Sequence, residues 1–141
     1  MKLIRIDGVA IIFASALTTG TATASDDYRC TIDRVSLAQG DSGATYDLYK
    51  RNYVGKQFTI ERTSGLMAGV LKNSYATRPQ VIDRGSKENS YKVVTTMRIE
   101  QGAGAGSNIH ALTVLEYEQG TKKPFVYLNN ETVFFGHCEH F

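Results

Sequence analysis

The densest group of chemically capable side chains lies at the end of the chain, in the run His137-Cys138-Glu139-His140. Imidazole nitrogen, thiolate sulfur and carboxylate oxygen all bind zinc or copper, so this run is a candidate metal site. Two observations oppose it. In a β-strand His137 and His140 would point to opposite faces, and a disulfide at Cys138 would remove the sulfur ligand. We therefore predict neither a metal site nor a cofactor.

The third histidine, His110, follows a glycine-rich segment at residues 102–106 (GAGAG) and has the chemistry of a general base. A catalytic triad would need a serine and a carboxylate beside it. Ser107 and Glu116 are the nearest in sequence, and their spacing specifies no such geometry. The chain has no G-x-S-x-G motif, a common mark of a serine nucleophile. The sequence thus predicts a surface histidine at a strand end and no catalytic residues.

Residues 102–106 also invite comparison with a phosphate-binding loop. Such a loop continues into a lysine and a hydroxyl residue at the start of a helix, and both features are missing here. A flexible connection between strands is the better interpretation. A connection of that kind can still contact a ligand, because loops carry function on rigid β scaffolds.

The chain contains eight tyrosines and no tryptophan. Tyr46, Tyr49 and Tyr53 lie beside Lys50 and Arg51, and tyrosine and arginine are favoured at recognition surfaces. The alternative is that these tyrosines fill half-buried sheet positions. The sequence leaves both interpretations open.

Alternating apolar and polar residues, the pattern of a β-strand, recur along most of the chain after residue 27. The clearest case is residues 90–100, where one face carries Tyr91, Val93, Thr95, Met97 and Ile99. Further strands are predicted at residues 28–37, 56–61, 66–71, 81–83 and 109–117, and in a final hairpin at 124–141. Gly69 indicates a bulge or a close backbone approach. Residues 45–53 fit a short helix better than a strand.

The two cysteines, Cys30 and Cys138, lie in the first and last predicted strands. In an exported chain such a pair is most simply a disulfide. The sequence therefore predicts an all-β fold, an antiparallel β-barrel or β-sandwich of about seven or eight short strands, with its first and last strands tied by that bond. The pattern does not choose between barrel and sandwich.

The first 24 residues have the features of an export signal. Lys2 and Arg5 precede an apolar run at residues 9–17, which is shorter than the roughly 20 residues of a membrane span. Residues 22–24 (ATA) fit the small-residue cleavage pattern. We predict cleavage there, a single β domain at residues 25–141, and a periplasmic or secreted location.

Removing 24 of the 141 residues leaves 117, enough for one domain and not two. These residues carry a net charge of +1, since the signal takes two basic residues and one acid from the +2 of the whole chain. Nucleic-acid binding requires a clustered basic surface, and the pairs Lys50-Arg51 and Lys122-Lys123 are too small to form one. The sequence predicts no nucleic-acid partner and no membrane span.

Four segments, FTIERTSGLMAG, GSKENSYKV, KPFVYL and VFFGHCE, resemble small exported proteobacterial proteins of unknown function. The chain also partly resembles the periplasmic C-type lysozyme inhibitors, small disulfide-bonded β-barrels with an S-G-x-x-Y loop and a Y-x-x-x-T-K-G loop. Residues 42–46 (SGATY) match the first loop and residues 117–122 (YEQGTK) match most of the second, with Lys123 in place of the glycine. About seventy residues separate the two matches, whereas the loops lie close in sequence in that family. The resemblance implies a binding surface formed by Ser42, Tyr46, Tyr117 and Lys122.

We therefore predict an exported binding module, without enzymatic activity, whose loops contact a protein, a glycan or a small molecule. Two alternatives remain. One is a lysozyme-inhibitor-like protein acting through residues 42–46 and 117–122, and the other is a structural envelope protein without a discrete ligand site. An enzyme would depend on His110, or on His137 and His140, alone.

Overall fold

A computed structural model describes residues 26–73, 78–102 and 106–141. The predicted signal peptide at residues 1–24 lies outside the described residues, as do three of the five residues of the GAGAG segment. The described chain forms eight antiparallel β-strands and one α-helix. No helix in these ranges has the length and apolar character needed to cross a membrane.

The order of elements confirms most of the predicted strands. The strands are β1 (Tyr28–Leu37), β2 (Gln57–Ile60), β3 (Met67–Gly69), β4 (Gln80–Arg84), β5 (Tyr91–Met97), β6 (Asn108–Val114), β7 (Lys123–Asn129) and β8 (Thr132–His140). The helix α1 (Gly43–Tyr53) joins β1 to β2 and confirms the helix favoured for residues 45–53. The strand predicted at residues 90–100 ends earlier, because Ile99–Gln101 forms a short 3-10 helix and Ile99 is 56% exposed.

The strands form one sheet in the order β3-β2-β1-β8-β7-β6-β5-β4, curled into a half-barrel. Every pair of neighbouring strands is antiparallel. Strands β1 and β8 are neighbours inside the sheet, with β2 and β3 beyond β1 and the other four strands beyond β8. The predicted all-β antiparallel fold is confirmed. Of the two predicted architectures, the single curled sheet is the barrel-like one and not a sandwich of two sheets.

Alternation along each strand places the hydrophobic core on the inner face of the sheet. Tyr28, Cys30 and Ile32 are each 0% exposed, as the sequence predicted for that face of β1. In β5 the inner positions Tyr91 and Val93 are also buried. Burial of each such side chain contributes roughly 1.5–3 kcal/mol, so this face supplies most of the driving force for folding.

Strands β1 and β8 pair over nine residue pairs, and Cys30 lies directly opposite Cys138. These two cysteines form the predicted disulfide, with their Cα atoms 3.9 Å apart. Just beyond this bond the register shifts at Asp33, which inserts an extra residue in β1 opposite Gly136. At this shift the two backbones approach each other closely, and a Cβ on Gly136 would lie 2.0 Å from the carbonyl oxygen of Thr31.

A buried asparagine links the two ends of the strand order. Asn73 is 1% exposed, and its side-chain oxygen accepts a hydrogen bond from the N–H of Met67 at 2.9 Å. Its amide donates to the carbonyl of Gly65 at 3.0 Å and to the hydroxyl of Thr95 in β5 at 3.4 Å. The turn between β2 and β3 is thereby held against β5, which stabilises the curl of the sheet.

We predict that Gly136→Ala strongly destabilises the protein. The added methyl group would collide with the backbone of β1 and with the ring of Phe125, so β1 and β8 would have to separate. We expect a loss of about 3 kcal/mol or more, the upper range for overpacking. Urea unfolding of the oxidised protein measures this, with Gly106→Ala as the control, since a Cβ there meets no atom within 4 Å. Equal midpoints for the two variants would contradict the register at Gly136.

Candidate functional site

The strand register divides the sheet into two ends. At one end of the β1–β8 pair Tyr28 faces His140, and at the other Leu37 faces Thr132. We call these the His140 end and the Leu37 end. Since β1 has ten residues, the two ends are about 30 Å apart along the strand.

The structure does not bring the four predicted binding residues together. Ser42 precedes α1 and follows the Leu37 end of β1, and Tyr46 lies in the first turn of that helix. Residues 42–46 are therefore mostly helical and not a loop. Tyr117 and Lys122 lie in the turn between β6 and β7, at the His140 end. The two segments that resemble lysozyme-inhibitor loops thus lie at opposite ends of the sheet.

At the His140 end, a carboxylate joins the first and last strands. The hydroxyl of Tyr28 donates to Oε2 of Glu116 at 2.8 Å, and Nε2 of His140 contacts Oε1 of the same carboxylate at 2.8 Å. The rings of Tyr28 and His140 also pack together, with centroids 4.7 Å apart. Glu116 follows β6, so this contact connects three separate parts of the chain.

The surroundings of this carboxylate determine its charge. Burial alone raises the pKa of Glu116, but hydrogen bonds from His140 and Tyr28 and the charges of His140 and Arg62 outweigh it, so the pKa lies below its ordinary value of 4.5. Burial, reinforced by the hydrogen bond to Glu116, raises the pKa of Tyr28. Burial also raises the pKa of Tyr91 to about 12. At neutral pH Glu116 is therefore ionised and both tyrosines are neutral.

Arg62 extends these contacts to the segment before β1 and to the end of β4. Its Nη1 forms an ion pair with Asp26 at 2.9 Å, and its Nε and Nη2 donate to the carbonyl of Arg84 at 3.0 and 2.8 Å. Nδ1 of His140 contacts the carbonyl of Asp26 at 3.2 Å. A continuous set of polar contacts therefore joins the segments at this end. We call it the mouth network, consisting of Asp26, Tyr28, Arg62, Glu116 and His140.

Beside the mouth network lies a pocket of about 630 Å³, which we call the His140 pocket. This volume is within the range of small-molecule sites. Its walls come from three parts of the chain and include Ser86, Lys87, Glu116, Thr121, Lys123 and His140. The turn that carries the predicted residues Tyr117 and Lys122 thus borders a pocket, although the lysine lining the pocket from this part of the chain is Lys123 and not Lys122.

A second pocket at this end has a volume of about 470 Å³ and is lined by Asp26, Glu61, Arg62 and Arg84. The guanidinium of Arg62 is occupied there by Asp26 and by backbone carbonyls. A third, of about 410 Å³, is a mainly apolar groove beside Met67 and the edge strand β3. The His140 pocket is larger than these two and is lined by two lysines, Lys87 and Lys123, whereas the groove beside Met67 has one, Lys72.

The histidines of the C-terminal run have separate partners. Nδ1 of His137 contacts Asp33 at 2.9 Å, whereas His140 belongs to the mouth network, and Cys138 is in the disulfide. Within the part of the chain that the structure describes, no group of three or more histidine, cysteine, aspartate or glutamate side chains is placed to hold a metal ion.

The prediction of a surface position for His110 is wrong. His110 is 4% exposed and lies opposite Thr95 of β5, on the inner face of the sheet. The reason is that β6 begins at Asn108, which makes His110 an inward position in step with Leu112. Burial lowers its pKa. Glu116 lies beyond the far end of β6, so these residues do not form a triad.

The tyrosines of α1 pack against the hydrophobic core and do not form an exposed surface. Tyr46, Tyr49 and Tyr53 are half-buried against the core, and the ring of Tyr53 meets Phe134 edge-on at 5.0 Å. Tyr53 also stacks on Tyr49 at 5.6 Å. Of the two open interpretations, packing is the one that these contacts favour, although it occurs on a helix and not on a strand.

Sequence reasoning missed the joint position of Tyr28, Glu116 and His140. A signal for part of it was present, because pairing Cys30 with Cys138 in antiparallel strands also pairs Tyr28 with His140 two residues away. No local pattern points to Glu116, which follows a strand that is not adjacent to β1.

We predict that Glu116→Gln weakens the fold in a pH-dependent way. A carboxylate whose pKa is lowered on folding stabilises the protein above its ordinary value of 4.5, and this contribution is lost as the pH falls through the folded value. We expect a loss of about 1–2 kcal/mol near neutral pH that shrinks below about pH 4. Urea unfolding across this range measures it, with the exposed Glu118→Gln in the same turn as the control. A deficit that stays constant with pH would contradict this assignment.

Comparison with known proteins adds no relative. No family model, no curated protein and no solved structure matches the chain. The resemblances drawn from short motifs therefore remain expectations, and the function has to be argued from the geometry of the described residues.

Proposed function

We propose that the protein is an exported, non-enzymatic binding domain whose ligand site is the His140 pocket. The observation that carries this proposal is the pocket itself, a concave site of about 630 Å³ whose walls are held by the mouth network. Export follows from the predicted signal at residues 1–24, and the Cys30–Cys138 disulfide supports it because such bonds persist in oxidising compartments.

The hydrogen bonds around the pocket support binding over catalysis. Both carboxylate oxygens of Glu116 are engaged, one by Tyr28 and one by His140. Both ring nitrogens of His140 face acceptors, the carboxylate of Glu116 and the carbonyl of Asp26. A general base needs a lone pair directed at the substrate, and here these groups are directed at one another. Their role in the proposal is to hold the walls of the pocket in place.

The geometry gives the lysozyme-inhibitor alternative no support. That alternative requires residues 42–46 and 117–122 to act on one partner surface, and these segments follow opposite ends of the sheet, the first after the Leu37 end of β1 and the second at the His140 end. A small molecule, or the end of a glycan or peptide, fits the dimensions of the His140 pocket better.

We predict that the protein co-purifies with a partner that is bound in the His140 pocket. The full chain would be expressed in its native host, and the oxidised product would be purified from envelope and culture fluid. Native mass spectrometry would then identify small molecules and proteins that remain bound. We expect one stoichiometric partner with the wild type.

The matched variants are Thr121→Trp, which fills the pocket, and Gln39→Trp, an exposed position at the Leu37 end. We expect Thr121→Trp to lose the partner and Gln39→Trp to retain it. Recovery of the wild-type protein with nothing bound, or an undiminished partner on Thr121→Trp, would refute the proposed site.

A further inference from the structure

The His140 pocket contains two lysines whose charges are not neutralised by an ion pair. Lys87 and Lys123 line it from different turns, between β4 and β5 and between β6 and β7. The ion pairs found among the described residues use Arg62, His137 and His140, and none involves a lysine. The Nζ of Lys123 donates to the carbonyl of Glu118 at 2.5 Å, which orients this ammonium and leaves two of its protons as donors.

One of the two acids of the pocket is already engaged by other side chains. Glu116 accepts hydrogen bonds from Tyr28 and His140 and is only 13% exposed. Glu139 lies opposite Arg29 in the β1–β8 ladder, but the guanidinium of Arg29 lies over the ring of Phe141 at 4.5 Å, and none of the ion pairs among the described residues involves Glu139. The pocket therefore presents two unpaired ammonium groups, Lys87 and Lys123, against one unpaired carboxylate, Glu139, an excess of one positive charge.

Neutral donors accompany the lysines. The hydroxyl oxygen of Ser86 accepts the N–H groups of Glu88 and Asn89 at 3.1 and 3.2 Å, so its own proton remains a donor. Thr121 supplies a second hydroxyl, and it is exposed. Two ammonium groups and two hydroxyls around one concave volume form a donor-rich site, which suits the oxygen atoms of an anion.

We propose that the His140 pocket binds a small molecule through an anionic carboxylate or phosphate group, with Lys87 and Lys123 as the counter-charges. The inference rests on the proposed function, since it names the ligand class of the same pocket. The volume of about 630 Å³ exceeds what the anionic group alone would occupy, so an attached uncharged portion such as a sugar ring fills the remainder.

Calorimetric titration with three probes of one size tests the ligand class. The probes are glucose, glucuronate and glucose 6-phosphate, which share a sugar ring and differ in charge. We expect at least one charged probe to bind about tenfold more tightly than glucose, and about 1 M salt to weaken that binding because the screening length falls to about 3 Å. The two charged arms distinguish a carboxylate ligand from a phosphate ligand.

Three variants locate the binding. Lys87→Gln and Lys123→Gln should each lower the affinity for the charged probe about tenfold. Lys92→Gln, which removes an equal charge on the outer face of β5, should change that affinity less than about twofold. Urea midpoints confirm that each variant is folded. Because Lys123 also contacts Glu118, Lys123→Arg is included, and restored binding there separates a charge effect from a change in the turn.

The outcomes separate the two proposals. Equal affinity for all three probes, no binding of either charged probe at about 10 mM, or charged-probe binding that ignores Lys87→Gln and Lys123→Gln would overturn the anionic assignment. A neutral or cationic partner that co-purifies with the wild type and is lost from Thr121→Trp would overturn it as well, while leaving the proposed binding function intact.

Discussion

The fold depends on the pairing of the first strand with the last. Strands β1 and β8 lie side by side inside the sheet, and the Cys30–Cys138 disulfide joins them at a directly opposed pair. In the chain-entropy view, closing a loop of about this length contributes on the order of 4–5 kcal/mol. The same pairing places Tyr28 beside His140, so the constraint that closes the fold also builds one wall of the candidate site.

At the His140 end two buried tyrosines of the core direct their hydroxyl groups at the surrounding turns, and the hydrogen bonds they form hold these turns in place. Tyr28 and Tyr91 are both 0% exposed, and a buried hydroxyl without a partner would cost about 1–3 kcal/mol. Tyr28 therefore donates to Glu116, and Tyr91 donates to the carbonyl of Arg62 at 3.0 Å. Satisfying two buried hydroxyls thus fixes the turns after β2 and β6. The walls of the adjacent His140 pocket are therefore held in place before a ligand binds, which lowers the cost of binding.

Much of the fold could be predicted from the sequence, because alternation and the cysteine pair act locally or through one bond. The site could not. His110 is not at a strand end, because β6 begins two residues earlier at Asn108, and alternation places it on the inner face in phase with Leu112 and Val114. Residues 42–46 match a loop motif, but Ser42 precedes α1 and residues 43–46 form its first turn. A five-residue motif is too short to determine the local conformation. Glu116 was found only through the curl of the sheet, which brings the end of β6 to β1 although β8 and β7 lie between them.

Amide hydrogen exchange on the oxidised wild type and on the Cys30→Ala/Cys138→Ala double variant tests most directly whether the β1–β8 pairing holds the His140 end together. If it does, exchange in the double variant rises first in β1 and β8 around residues 28–31 and 137–140, while the amides of β5 and β6 keep their protection under the same conditions. A uniform rise across all strands, or unchanged protection around Tyr28 and His140, would contradict this role of the pairing.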